Sequence, residues 1–206
     1  MKTKILLFMA LLLMVGGAFS SCSKGDDAER DIPAYVWPDG KRFYYSSGDK
    51  IYLDETPDEF ALQVEERYIP EIKDYMEKNG QVLNTLSWGT PNIFILETTE
   101  NSNLKTVRGE LSRLNGMMWI NPLCLSGGSA RMLVTNEIIV KFKGSASKSA
   151  IDRMNKTYQA SIIPTDFLES TLLSVPAYLD ALEVANAYWE SGLVESATPN
   201  FLYKIR

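Results

Sequence analysis

Two glycines, Gly116 and Gly192, each stop a helical pattern, and each is followed by an apolar pair, Met117-Met118 and Leu193-Val194. They lie 76 positions apart, and two strand-like runs that start at Glu59 and Glu137 lie 78 apart. An offset that stays nearly constant from strand start to helix stop implies a repeated order of elements, not a chance match of one pair. In the first copy the order is strand 59–65, helix 70–79, strand 81–86, strand 93–96, helix 103–115 and strand 117–125. The helices are read from apolar residues at three- and four-residue spacing: Ile72, Tyr75 and Met76, then Leu104, Val107, Leu111 and Leu114. Asn79-Gly80 ends the first helix, and Pro122 is expected to break the last strand.

The second copy has a strand at 137–142 and a helix at 147–158 with Ile151, Met154 and Tyr158 on one face. Strands follow at 161–164 and 171–175, then a helix at 178–191 with Leu179, Leu182, Ala185 and Trp189 as its stripe. An extended run, 193–206, closes the chain. The fold class expected is α+β: two tandem ferredoxin-like (split βαβ) units with antiparallel sheets, preceded by a β-hairpin. The hairpin is read from strand-like runs at 42–45 and 50–53 around Ser46-Ser47-Gly48-Asp49, with Gly48 able to take a positive φ. Thr56-Pro57-Asp58 reads as the next turn.

The domain expectation is a leader 1–21, a tether 22–39, and the hairpin plus first unit at 40–125. A linker 126–135 and the second unit 136–206 complete it. Tyr35, Val36 and Trp37 are expected to dock on the first domain, 40–125, because an apolar cluster in a tether rarely stays in water. Lys141 and Lys143 alternate with apolar residues and should face solvent. Trp88 is expected to cap the first core, and Trp119 and Trp189 to pack.

Function classes narrow quickly. The chain has no histidine and two cysteines among 206 residues, so a Ser-His-Asp or Cys-His site cannot be built from it alone. Neither a histidine-containing zinc site nor a cysteine cluster is available, and no glycine-rich nucleotide loop is present. No cofactor or metal is expected. The carboxylate pairs Asp26-Asp27, Asp54-Glu55 and Glu65-Glu66 read as solvated turn or tether charges, so no catalytic residue is assigned. Cys124, between Leu123 and Leu125, reads as a small core residue. The formal charge is −5, and −7 once Lys2 and Lys4 leave with residues 1–21, which argues against a nucleic-acid partner.

Met1-Lys2-Thr3-Lys4, the apolar run 5–15 and small residues before Cys22 form an export signal whose apolar part is too short for a comfortable span. Phe19-Ser20-Ser21-Cys22 resembles a lipoprotein box of the loose type used by the Bacteroides group. That resemblance implies lipidation of Cys22 and anchoring in the outer membrane, in either the periplasmic or the cell-surface leaflet. An ordinary signal peptide with a chance cysteine is the alternative.

Three motifs in the second unit carry a further resemblance: EIIVKF at 137–142, ANAYWESGLVE at 185–195 and ATPNFLY at 197–203. They resemble the N-terminal propeptides of subtilisin-like serine proteases, in particular the fervidolysin-type prodomain. The hairpin also resembles the segment that precedes such prodomains. The resemblance implies a non-enzymatic partner of a subtilisin-like serine protease, acting as inhibitor or folding chaperone. The propeptide's sheet would pack on two surface helices of the protease. Tyr203, Lys204, Ile205 and Arg206 would be the tail that enters the cleft as an added strand, with Arg206 nearest the catalytic serine and Tyr203 in an apolar subsite. The bland alternative for that tail is a sheet strand with a frayed end. No catalytic domain follows residue 206, so a free-standing inhibitor and the N-terminal part of a longer subtilase precursor both fit. A binding or scaffold lipoprotein that reuses the fold is the other alternative.

Overall fold

Ser46 and Asp49 face each other across a two-residue turn in which Ser47 (φ 51°) and Gly48 (φ 93°) both take positive φ. That is the geometry a tight hairpin favours, because it matches the right-handed twist of the strands. The turn joins β1 (Phe43–Ser46) to β2 (Asp49–Tyr52). Gly48 follows the sequence expectation, while a left-handed serine was not foreseen. The computed structural model describes residues 35–38, 40–78, 82–85, 92–97, 109–126, 130–166 and 169–203. The expectations for Cys22, Trp88, Leu104, Val107 and residues 204–206 therefore lie outside the described residues.

Leu53 alone separates the hairpin from β3 (Asp54–Val64). The turn expected at 56–58 is instead absorbed into β3 as an irregularity between Glu55 and Phe60, opposite β6 (Met117–Ser126). Pro57 has no N–H to give a ladder, and Thr56 Oγ1 donates to the Leu123 carbonyl at 3.1 Å in its place. After β3 come a short 3-10 turn, α1 (Ile69–Lys78), β4 (Val82–Thr85) and β5 (Ile93–Glu97). A helical turn at 109–111 precedes Gly116, whose φ is +76°. Ile72 and Met76 of α1, with Leu111, pack on Phe60, Leu62, Val64, Phe94, Leu96 and Ile120.

Pro122 does not break β6, which continues to Ser126. β7 (Ala130–Phe142) joins β6 only from Leu123 onward, so the proline sits where that side has no ladder partner. Buried Asn121 bridges the gap: its Nδ2 donates to the carbonyls of Val134 at 2.7 Å and Thr135 at 3.2 Å. Residues 130–135, expected as linker, are thus the first half of a 13-residue strand.

The second half continues with α2 (Lys148–Thr157), β8 (Ser161–Ile163), β9 (Thr171–Ser174), α3 (Ala181–Glu190) and β10 (Val194–Tyr203). Ser147 caps α2, accepting from Ala150 N–H. Asp180 caps α3, accepting from Leu182 N–H at 3.0 Å. That cap starts α3 three residues later than the apolar stripe suggested, and it leaves Leu179 in the turn before it.

The result is a mixed α/β fold in which, among the described residues, every strand pairing is antiparallel. The strand order is β4-β5-β3-β6-β7-β9-β8, with β10 on the other side of β7. In each half the first strand lies between the last and the third, and the second lies beyond the third. The halves do not keep separate sheets, however. On one side β7 pairs with β6 through Ala130–Leu133 and then with β9 through Glu137–Val140, while β10 runs along the other side. Leu133 accordingly joins a buried cluster with Ala61, Ile93, Ile95, Trp119 and Leu123.

The hairpin departs from the expected arrangement as well. Trp37 docks on Phe43 of the hairpin, inside the expected 40–125, whereas Tyr35 reaches Glu190 of α3 and Val36 stays exposed. The reason is chemical: Glu190 at the end of α3 offers an acceptor, and Tyr35 Oη donates to its Oε1 at 2.7 Å.

Candidate partner-docking face

The run EIIVKF decides the two faces of β7. Ile138 and Val140 are fully buried, and Phe142, on the same face, lies 6.3 Å from the Tyr188 ring of α3. Glu137, Ile139 and Lys141 therefore point to the opposite face, because successive side chains alternate. Register extends that face across the sheet: Ile163 pairs with Leu172, Leu172 with Ile139, and Ile139 with Thr198. All four are half-buried, forming a continuous row from β8 to β10.

Polar groups rim the row. Lys141 Nζ meets Glu195 Oε2 at 2.9 Å, both side chains about half exposed at 48% and 49%. Glu195 raises the Lys141 pKa, first by its hydrogen bond and then by its charge. Exposed pairs of this kind contribute little to stability. On the far side Asn200 Nδ2 donates to Glu137 Oε2 at 2.7 Å. The row thus has an apolar centre and a paired polar rim.

Of the four expected tail residues, Tyr203 is the one described. It is the last residue of β10, paired with Met132 and 50% exposed, with its ring 6.2 Å from Phe201. Burial, and then Tyr44, raise its phenol pKa. Lys143, expected in solvent, is exposed and donates to the Gly192 carbonyl beyond the end of α3. The open-face residues Ile139, Leu172 and Ile163 were not singled out from sequence. Alternation with Lys141 already puts Ile139 on the outward face of β7, but only the pairing with β9 and β10 brings Leu172, Ile163 and Thr198 beside it.

Cys124 is fully buried, and burial pushes its thiol pKa up to about 12. We expect no labelling of Cys124 by a soluble thiol reagent at pH 8 in the folded protein and complete labelling in denaturant, read by mass spectrometry. Rapid native labelling would contradict the core assignment. Among the described residues, no group of three His, Cys, Asp or Glu side chains is placed to hold a metal ion, and no helix is long and apolar enough to cross a membrane.

Comparison with solved structures returns the acetolactate synthase small subunit from Thermotoga maritima, at 13% identity and a TM-score of 0.29, covering 72% of this chain and 96% of that one. No curated protein sequence matches the chain. Residues 125–200 match the family model of the fervidolysin N-terminal prodomain, so the segment from the end of β6 into β10 carries the pattern of a subtilase propeptide.

Proposed function

We propose that the chain is a propeptide-like protein that binds a subtilisin-like serine protease and acts as its inhibitor or folding chaperone. The observation that carries this is the open, half-buried apolar row Ile163–Leu172–Ile139–Thr198, lying within the segment that matches the prodomain family. Two ferredoxin-like units share one sheet in this reading, and the second presents the face. Helices of the protease cover the row. β10 then leads residues 203–206 into the cleft, where backbone hydrogen bonds supply affinity and alternate side chains enter pockets. The chain contributes no catalytic group. An acylated Cys22 tethers it to the outer membrane.

The test is a titration of several subtilisin-like proteases with the chain lacking residues 1–21, with the same chain also lacking 203–206, and with Ile139→Lys. Ile139 is half-exposed, so the lysine can be tolerated by the fold while it charges the centre of the row. We expect slow-tight inhibition by the first and at least tenfold weaker inhibition by the other two. If no protease is slowed, the proposal fails. If loss of 203–206 changes nothing, binding proceeds through the face alone.

A further inference from the structure

The hairpin precedes the first half in sequence, yet its side chains reach across to the second. Arg42 is ion-paired with Asp180, the cap of α3. Asn186, fully buried on α3, donates its Nδ2 to the Phe43 carbonyl at 2.9 Å. Tyr45 stacks on Trp189 at 5.4 Å, and its hydroxyl donates to Glu190 at 3.1 Å. β1 thus follows α3 from its cap to its last turn. Tyr35 closes on the same Glu190 carboxylate, and Trp37 packs edge-on against Phe43. Tyr44 meets Phe201 of β10 at 4.9 Å, so the exit strand is held as well.

A helix in this position needs one apolar face toward the sheet. α3 buries more than that: Val184 and Asn186 are as inaccessible as Ala185 and Tyr188. A buried asparagine amide without a partner would be costly, and the Phe43 carbonyl supplies one.

We infer that residues 35–53 form a strap belonging to the second half, which makes the unit with the open face discontinuous and places the first half as an insertion within it. The strap holds α3 and β10 in position behind the open face. The inference stands on these contacts and does not depend on the protease reading.

Hydrogen exchange on the full chain tests it, using Tyr45→Ala, which loses Trp189 and Glu190 of α3, and Trp37→Ala, which loses Tyr35, Arg42 and Phe43 within the strap. We expect amides of residues 181–190 to exchange at least tenfold faster, with residues 60–64 and 93–97 unchanged. Unchanged protection in α3, or equal acceleration in both halves, overturns the inference. Should Trp37→Ala fail to fold, Tyr45→Ala decides alone, because Tyr45 is partly exposed and its loss leaves the hairpin ladder intact.

Discussion

Replacing Gly116 with alanine is expected to cost several times more stability than the same change at Gly192. The two glycines hold equivalent places in the repeat and similar positive φ, +76° and +72°. That conformation alone costs a non-glycine residue about 1–2 kcal/mol. Their surroundings differ. A Cβ at Gly116 would lie 2.1 Å from Tyr68 Cδ2, 2.5 Å from Cγ and 2.7 Å from Cβ, whereas nothing approaches within 4 Å at Gly192. Tyr68 cannot simply swing its ring aside, because its own Cβ is in the collision. The backbone is pinned too, with Glu65 N–H donating to the Gly116 carbonyl at 2.8 Å. Overpacking adds about 1–3 kcal/mol, so Gly116→Ala should cost about 3 kcal/mol and Gly192→Ala about 1. For a chain of this size that separates the midpoints by several degrees. Thermal unfolding of both variants, with Tyr68→Ala added to Gly116→Ala, is the measurement. Equal costs, or no partial rescue by Tyr68→Ala, would sink the explanation.

Asp180 carries the second large effect. Its side chain is 2% exposed and pairs with Arg42, itself 10% exposed and also held by Glu55 at 2.7 Å. Burial works against the Arg42 charge, but Asp180 and Glu55 outweigh it, and its pKa rises above the usual value. Removing one partner of a buried pair typically costs about 3–5 kcal/mol, because the other charge is left without compensation. Asp180→Ala also removes the cap on Leu182, about 1 kcal/mol more. Asp180→Asn keeps a capping oxygen while losing the charge. Denaturant unfolding should therefore rank the variants wild type, Asn, Ala, with the Asn–Ala gap close to the value of a cap. If Asn is as stable as wild type, the pairing with Arg42 contributes nothing and Glu55 suffices.

Local pattern carried much of this architecture in the sequence. Alternation marked β7, three- and four-residue spacing marked α1, and glycine marked the hairpin turn and the helix stop before β6. These signals lie within a few residues of the structure they specify. Long-range choices were not legible. Nothing in the composition of β6 or β7 states that they pair, and a glycine-serine stretch between them resembles a linker as readily as a connection between adjacent strands. The strap has the same difficulty, since Arg42 and Asp180 are 138 positions apart. The open row was half legible: alternation with Lys141 gave the outward face of β7, including Ile139, but not the strands β8, β9 and β10 that extend it.

The shared strand β7 has a consequence for how the molecule comes apart. Its early residues are hydrogen-bonded to β6 and its later ones to β9, with β10 spanning both stretches. Neither half can melt without exposing ladder groups of the other. A cut in the connection between β6 and β7 would break the covalent chain yet leave two fragments clasped through the same ladder.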